Sequence, residues 1–511
     1  MLYGVYPSIV TQIKRVLAVL SVLLIFILLA ACSRKQEPTG TPGTSEIDRP
    51  TAAAETERGT GTVAQESAVG LADAGSVPEP SPPPQVYVVK AGDTLYAIAS
   101  RFSCDVDELI RLNGIANPSV LQVGQQLQIP STSIDTGPSV RLLPNSEFVN
   151  SPAYLDFDIT AFCARQGGYL CAYQENVDGQ MLSGPQIVTL VAHHYSVGPR
   201  LLLAIVEHES GWVTDPNPFG PALGSRNGGW TTFHQQLAWA ADKLNEGYYD
   251  WRGRGMALKI WGDATATRYA PTLNAATAGL QYFYSLNTSR SEWQALVGDG
   301  PGSFIETYRQ LFGDPDQYAI VPLIPADTAS PTLALPWSEG ESWFYTGGPH
   351  GAWNSGSAWA AIDAVPDEGY LGCQPASAWA TAAAPGLIIY SQDGEVMLDL
   401  DGDGYEETGW VLFYLHVASQ GRVPVDTRVE QGDPIGHPSC EGGFSESTHL
   451  HFARKYNGEW IAADGPLPLI LSGWQFFSAG SEYEGTATRG LDQRTACECR
   501  DGTVNGLRAG R

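Results

Sequence analysis

The pattern of apolar and polar positions divides the chain into segments of different kinds. Residues 16–32 form one apolar run, VLAVLSVLLIFILLAAC, which follows two basic residues. Residues 33–85 are dominated by Ser, Thr, Pro, Gly, Ala and Glu with almost no aromatic residue, and such a composition cannot bury a hydrophobic core. The pattern therefore predicts a signal sequence over residues 1–31 and a disordered tether over residues 32–85.

The next segment, residues 86–130, reads as a small βααβ unit. A β-branched run at 86–89 is followed by apolar residues at helical spacing and by a second short strand, LQI, at 127–129. Its motifs AGDTLYAIASRF and LQVGQQLQIP resemble the LysM family. The resemblance implies binding to glycans that contain N-acetylglucosamine, such as peptidoglycan, and the alternative is a structural unit without a ligand.

Residues 151–330 follow a linker at 131–150 and are predicted to be mainly helical. Pro199 suits the first turn of a helix, and the apolar positions after it repeat at helical spacing as far as Glu209. The stretch LLLAIVEHESGWV resembles the catalytic helix of the lysozyme-like lytic transglycosylases. That resemblance implies a catalytic Glu209, a carboxylic acid that protonates a glycosidic oxygen.

Two features of the helical segment leave alternatives open. The Gly-Leu-Met-Gln stretch of that family is missing, and either Gln235 or Gln236 is left as its replacement. Aromatic residues are also dense here, and stacking on sugars would line a glycan groove, whereas stacking on each other would build a core. The aromatic residues are Trp230, Trp239, Tyr248, Tyr249, Trp251, Trp261, Tyr282 and Tyr284.

Residues 335–475 are predicted to form a mainly β, antiparallel domain, because short apolar runs alternate there with Gly, Pro and Asp turns. His449 and His451 stand two apart in STHLHFA, and alternate residues of a strand point to the same side. His416 ends another predicted strand, WVLFYLHVA. These histidines predict a metal site. Residues 476–511 form a polar tail to which we assign no structure.

His350 and Asp363 stand thirteen residues apart in TGGPHGAWNSGSAWAAIDA. With the HLH motif, this pair resembles the lysostaphin-type zinc endopeptidases, and among them the β-lytic branch. The resemblance implies Zn²⁺ held by His350, Asp363 and His451, while His416 and His449 polarise water and stabilise the oxyanion. Two imidazoles and one carboxylate leave the fourth tetrahedral position of zinc open for water.

The N-terminal signal sequence places this chemistry outside the cytoplasm, and the charge and the cysteines fit that placement. A net charge of −26 and a pI near 4.6 argue against a nucleic-acid partner. The motif LAAC, which ends at Cys32, resembles the bacterial lipobox and implies a lipid anchor in the cell membrane. In such an oxidising compartment Cys163, Cys171, Cys373 and Cys440 are candidates for disulfides, with connectivity left open.

Asp399, Asp401 and Asp403 in LDLDGDGYEETGW imitate the start of a calcium-binding EF-hand loop. The twelfth position is Trp410 rather than an acid, and no flanking helices are evident. A β-hairpin turn with solvated carboxylates is the favoured interpretation, and a structural Ca²⁺ is the alternative.

The segments together predict a multidomain protein of the cell envelope, for which three functions compete. The first is a peptidoglycan hydrolase that cuts peptide bridges with zinc, with glycan cleavage by Glu209 as an open second activity. The second is a pseudoenzyme that activates other wall hydrolases, against which the complete set of five site residues argues. The third is a passive wall-binding scaffold, for which the LysM-like unit and the aromatic-rich segment would suffice.

Overall fold

The computed structural model describes residues 85–90, 93–102, 104, 106–115, 121–129, 135–262 and 265–510. The predicted signal sequence and Cys32 lie outside these residues, as does the tether apart from its last residue. Within the described part of the chain, no helix combines the length and the apolar character needed to cross a membrane.

The LysM-like unit has the predicted order of elements, with two helices packed on a two-stranded sheet. Its elements are β1 (Gln85–Val88), α1 (Leu95–Phe102), α2 (Val106–Asn113) and β2 (Gln126–Ile129). The strands pair antiparallel, with Gln85 opposite Ile129. Ile98, Leu109 and Leu127 are fully buried between helices and strands. The apolar residues at helical spacing in the sequence therefore form the faces of the helices that pack on the sheet.

The segment after the linker is mainly helical, as predicted. Its helices are α3 (Asn145–Phe148), α4 (Ile159–Gln166), α5 (Tyr169–Ala172), α6 (Gly184–Tyr195), α7 (Pro199–Ser210), α8 (Phe233–Tyr249), α9 (Ala275–Ser285), α10 (Arg290–Leu296) and α11 (Phe304–Phe312). A capping box formed by Ser183 and Gln186 starts α6. Pro199 opens α7, and the left-handed Gly211 ends it.

Short strands and turns complete the helical segment. The strands are β3 (Asp135–Thr136), β4 (Gln174–Val177), β5 (Gln180–Ser183), β6 (Leu258–Ile260) and β7 (Ala266–Arg268). The 3₁₀ turns are Pro152–Tyr154, Gly224–Arg226 and Pro315–Tyr318, and Asp250–Arg254 is a π-turn at the end of α8. Strands β4 and β5 form a hairpin, whereas β3, β7 and β6 form a small sheet in that order.

The C-terminal part of the chain is built on one antiparallel sheet. Its strands are β8 (Ser342–His350), β9 (Ala361–Pro366), β11 (Gly386–Gln392), β12 (Glu395–Asp399), β13 (Trp410–Leu415), β14 (Arg428–Val429), β16 (Leu450–Tyr456), β17 (Glu459–Trp460) and β22 (Gly506–Arg508). They lie in the order β14-β11-β12-β13-β16-β9-β8-β22, and β17 pairs with β16. The predicted mainly β architecture is therefore present.

Two smaller sheets flank the large one. They consist of β10 (Ala380–Thr381) with β15 (Pro434–Gly436), and of β18 (Ile470–Leu471), β19 (Trp474–Ser478), β20 (Gly485–Arg489) and β21 (Asp492–Thr495). No structure was predicted for the residues after 475. They supply the end of β19, all of β20 and β21, and the edge strand β22 of the large sheet. Their polar, glycine-rich composition conceals these strands, of which β20 and β21 pair with neighbours in sequence and β22 pairs with the distant β8.

The two faces of the large sheet pack against different partners. Leu412 and Tyr414 on β13 face a core formed within the C-terminal part of the chain. Val411, Phe413 and Leu415 alternate with them and pack into the core of the helical segment. The helical segment therefore covers the face of the sheet that carries Val411, Phe413 and Leu415.

Candidate metal centre

Neighbouring strands bring the predicted zinc ligands together. His350 ends β8, Asp363 lies in β9, and His451 lies in β16. His451 is directly opposite Asp363 in the antiparallel ladder, so both side chains point to one face. Asp363 also faces Gly347, where an added Cβ would lie 2.5 Å from Asp363 Oδ2. The close approach of this carboxylate therefore requires glycine at position 347.

The candidate ligand atoms form a small triangle. His350 Nε2 lies 3.1 Å from His451 Nδ1 and 3.4 Å from Asp363 Oδ1, and the third side of the triangle is 3.2 Å. A tetrahedral zinc ion with bonds of about 2.0–2.1 Å holds its ligand atoms about 3.3 Å apart. All three residues are buried, and Asp363 Oδ1 has no hydrogen-bond partner among the described residues. The donor set and its spacing fit zinc.

Each of the two ligand rings is oriented by a backbone carbonyl. His350 Nδ1 donates to the Gly348 carbonyl at 2.8 Å, and His451 Nε2 donates to the Ala352 carbonyl at 2.9 Å. Because a neutral imidazole carries one N–H, these bonds leave the inner nitrogen of each ring as an electron-pair donor. Proteins commonly fix the tautomer of a metal-binding histidine in this way.

His416 and His449 lie beside the ligand triangle. Their ring centroids are 4.4 Å apart, and His449 Nε2 lies 3.7 Å from Asp363 Oδ1. Their outer nitrogens bond to the carbonyls of Glu441 at 3.0 Å and Ser447 at 2.8 Å. His416 follows β13 with a backbone φ of 66°, a left-handed conformation that is uncommon outside glycine. The structure thus brings all five predicted site residues together.

Burial and charge shift the pKa values of this cluster. Burial disfavours the charged form of Asp363, but His350 and His449 outweigh it and hold the pKa of this carboxyl well below its ordinary range. Burial, together with His449 and His451, lowers the pKa of His416 to about 3. Asp363 is therefore ionised and His416 neutral near pH 7, the states that suit a metal ligand and a proton acceptor.

The cysteines divide into one predicted bridge, one corrected pair and one bridge without a prediction. Cys373 and Cys440 are joined, and Cys440 directly precedes Glu441, whose carbonyl orients His416. Cys163 and Cys171 remain thiols, which corrects the interpretation of this pair as a disulfide. Cys163 is buried, and burial together with the nearby Cys171 raises the pKa of its thiol to about 12, whereas Cys171 is half-buried. Cys497 and Cys499 are also joined.

Tyr483 is a site residue that sequence reasoning missed. Its ring stacks on His350 with centroids 4.2 Å apart and an interplanar angle of 22°. Burial and the nearby Asp363 raise the pKa of its hydroxyl, so it stays protonated near pH 7 and able to donate a hydrogen bond. Tyr483 lies between β19 and β20, in a glycine-rich polar stretch whose local pattern carries no signal for a site.

The aspartate-rich stretch is a hairpin connection. Asp399 pairs with Val411 across β12 and β13, so the residues between them form the turn. The buried Asp399 carboxylate accepts backbone N–H groups from Asp401, Gly402 and Gly404 at 2.9–3.1 Å. These bonds account for its burial without an ion, so the geometry agrees with the turn interpretation and adds no support for calcium.

Glu209 lies in the last turn of α7 and is not part of the histidine cluster. Its side chain is 8% exposed, and Arg226 Nε lies 2.9 Å from Glu209 Oε1. Burial raises the pKa of Glu209, although Arg226 opposes the shift. Gln236 is buried, and its side-chain oxygen accepts a hydrogen bond from the backbone N–H of Leu223. It therefore stabilises a loop and does not face a groove.

Half of the eight aromatic residues left open between groove and core are buried in the core, and Trp239 and Trp251 pack against it. Tyr248, Tyr249, Trp261 and Tyr284 are buried, whereas Trp230 is 46% exposed. Core packing therefore explains much of the aromatic density in this segment.

Family models match two parts of the chain. Residues 87–130 match a family described as LysM domain, which confirms the predicted resemblance, and residues 141–327 match a family described as LasA, N-terminal domain. The likeness of the helical segment to lysozyme-like enzymes stays a prediction. A solved structure titled "A Novel M23 Metalloprotease Pseudoalterin from Deep-sea" has 24% identity and a TM-score of 0.28, and covers 33% of this chain and 96% of its own.

Two curated proteins are informative about the arrangement of these parts. The chain is 26% identical over 299 residues to Protease LasA of Pseudomonas aeruginosa (strain UCBPP-PA14), a match that covers 53% of this chain and 66% of that protein. It is 50% identical over 54 residues to the Lipoprotein NlpD/LppB homolog of Pseudomonas aeruginosa (strain PAO1), covering 11% of this chain and 18% of that protein. The chain thus spans slightly less than two-thirds of the length of the LasA relative, and it combines LasA-like segments with a LysM-like unit.

Proposed function

We propose that this protein is a zinc-dependent endopeptidase that cuts the peptide bridges of bacterial peptidoglycan. The observation that carries the proposal is the convergence of His350 Nε2, Asp363 Oδ1 and His451 Nδ1 at 3.1–3.4 Å from one another. A non-catalytic activator of other hydrolases would have no need to keep this donor set intact. The similarity to Protease LasA supports the same choice.

In the proposed mechanism, His350, Asp363 and His451 would hold the zinc ion. When bound, zinc lowers the pKa of a water ligand to about 7 and polarises a carbonyl group. The inner nitrogens of His416 and His449 carry lone pairs, so this pair can accept the proton of the attacking water. The ring that takes the proton then donates a hydrogen bond to the developing oxyanion and passes the proton to the leaving amine.

The other segments would place this chemistry at the wall. We propose that the LysM-like unit holds glycan strands and that lipidation at Cys32 anchors the protein to the outer face of the cell membrane. The LysM match at residues 87–130 and the motif LAAC support these two roles. The localisation is then extracytoplasmic, with the peptidase facing the wall.

For the helical segment we propose a positioning role rather than glycan cleavage. A general acid must be protonated before it reacts. Burial favours that state and raises the pKa of Glu209, but the carboxylate is engaged by the Arg226 guanidinium 2.9 Å away, which opposes the shift. Arg226 also contacts the half-exposed Glu292 at 3.2 Å, so Glu209 belongs to an ion-pair network that stabilises the end of α7.

Digestion of isolated peptidoglycan by the full chain tests the proposal. Mass spectrometry of the soluble products should find new amino and carboxyl ends within peptide bridges, on intact glycan strands. His449→Ala should slow their release by about a hundredfold, whereas Glu209→Gln should give the parent's products. Anhydro-sugar ends that disappear in Glu209→Gln would assign glycan cleavage to the helical segment. Binding without any release of fragments would favour the scaffold function.

Wall binding should depend on the LysM-like unit. Deleting residues 86–130 should remove most of the protein that sediments with insoluble peptidoglycan, and chitooligosaccharide should compete with the parent's binding. A deletion variant that sediments as fully as the parent would move the glycan-binding role to the helical segment.

A further inference from the structure

A second cluster of metal-binding side chains lies between the helical segment and the sheet. His193 and His194 occupy the last turn of α6, and Glu395 begins β12. His193 Nε2 lies 3.3 Å from Glu395 Oε2, and His194 Nε2 lies 2.9 Å from Glu395 Oε1. The Glu395 side chain is 1% exposed. One ligand atom from each residue lies within 4.8 Å of the other two, so that modest side-chain rotations bring all three to the spacing that a single ion requires.

The tautomer of His193 directs one lone pair into this cluster. His193 Nδ1 lies 3.0 Å from Glu406 Oε1, and Lys455 Nζ holds the other oxygen of Glu406 at 3.1 Å. A neutral His193 that donates Nδ1–H to Glu406 presents the Nε2 lone pair to the Glu395 carboxylate. A cation then lies between this nitrogen and the carboxylate, either a second proton on His193, whose pKa Glu406 and Glu395 raise to about 9, or a metal ion. A carboxylate behind the ring, as Glu406 is here, commonly supports a metal-bound imidazole.

His194 distinguishes between a proton and a metal as that cation. A proton on His193 Nε2 satisfies His193 and Glu395 alone. His194 Nε2 is buried and has no hydrogen-bond partner among the described residues, although Glu395 Oε1 is 2.9 Å away, because the contact lacks hydrogen-bond direction. A metal ion bound by both rings and Glu395 uses this nitrogen as well. Trp353 stacks on the His194 ring at 4.1 Å and fixes its plane.

The cluster is separate from the candidate catalytic centre but shares its sheet face. Glu395 pairs with Leu415, and Leu415 pairs with His451, so the three side chains form one row across the sheet. Two strand spacings separate Glu395 from His451, which is about 10 Å. One ion cannot span that distance, so the two donor sets would bind different ions.

Buried negative charge also favours a cation here, whether a proton or a metal ion. Glu395 and Glu406 bring two negative charges into a buried region, and Lys455 returns one positive charge. The C-terminal end of α6, where both histidines lie, is the end of a helix that favours cations. Two imidazoles and one carboxylate form the donor set that zinc accepts, with one position left for water.

We propose that His193, His194 and Glu395 bind a second transition-metal ion, Zn²⁺ by donor type, which ties the helical segment to the sheet. This ion is structural, and cleavage does not pass through it. The inference is independent of the peptidase proposal, because it rests on different residues.

Counting zinc ions in variants of the full chain tests the proposal. Protein loaded with excess Zn²⁺ and freed of unbound ion should hold about two ions per chain, measured by inductively coupled plasma mass spectrometry. His451→Ala should hold one, and adding either His194→Ala or Glu395→Gln to it should leave none. His437→Ala is the matched control, since His437 packs on Trp379 away from both donor sets, and it should hold two.

A second measurement tests the site without the His194 and Glu395 variants, in case these fail to fold. In the His451→Ala protein, Zn²⁺ should raise the thermal unfolding midpoint above that of the chelator-treated protein, since an ion that binds the folded state stabilises it. One ion in the parent and none in His451→Ala would overturn the second site and leave the catalytic zinc standing. Two ions that survive both Glu395→Gln and His194→Ala would also overturn it, as would an unchanged midpoint. An unchanged count in His451→Ala would instead contradict the catalytic assignment.

Discussion

Replacing Asp363 by alanine is expected to empty the candidate catalytic centre and to abolish cleavage of peptide bridges. Asp363 is the charged member of the ligand triangle, and its Oδ1 lies 3.2–3.4 Å from both ligand nitrogens. Two neutral imidazoles alone hold zinc weakly. Loss of a residue that only orients a metal ligand already costs about 10–100-fold in affinity or activity, so loss of a ligand should cost more. Zinc content and peptidoglycan turnover of the purified full chain measure the effect.

The matched control is His449→Ala, which removes a ring from the same pocket without removing a ligand. Zinc should stay bound at the catalytic centre, while turnover falls by about a hundredfold. Both variants should keep the circular dichroism spectrum of the parent. An Asp363→Ala protein that still cleaves peptide bridges at the parent's rate would show that the triangle is not the catalytic centre.

The metal centre could be largely predicted from the sequence, because part of it follows local rules. The two-residue period of a strand places His449 and His451 on one side, and the structure places both beside Asp363. The assignment of His350 came from the thirteen-residue spacing and a family resemblance. The physical basis of that assignment is the pairing of β8 with β9 in the sheet, which brings His350 close to Asp363.

What the sequence could not reveal depends on pairings between distant parts of the chain. Tyr483 reaches His350 from a turn more than a hundred residues later, and no local pattern encodes that approach. His193 and Glu395 likewise meet across a separation of 202 residues. The hydrophobic pattern predicted the helical and β segments as far as residue 475, but it did not predict the later strands or that helices cover the sheet face on which the ligands lie.

A second large effect is expected on stability, at the start of the helical segment. Glu147 on α3 is fully buried, and the guanidinium of Arg200 on α7 binds its carboxylate with two bonds, at 2.9 Å and 2.6 Å. The hydroxyls of Tyr154 and Tyr308 donate to the same carboxylate. Arg200 lies in the first turn of its helix, an end that favours anions rather than cations. Glu147 therefore neutralises a charge that α7 alone does not stabilise.

Glu147→Ala should lower the free energy of unfolding by about 3–5 kcal/mol, because it leaves a buried guanidinium without its partner. Arg200 cannot escape by losing its proton, since its ordinary pKa is already above 12. Asp316→Ala is the matched control, because it breaks an ion pair with Arg141 in which both side chains are about half-exposed. That change should cost less than about 1 kcal/mol. Urea unfolding followed by tryptophan fluorescence compares the two variants, and equal losses of stability would contradict the assigned role of Glu147. Replacing both partners, as Glu147→Leu with Arg200→Met, should recover much of the loss, since no buried charge then remains.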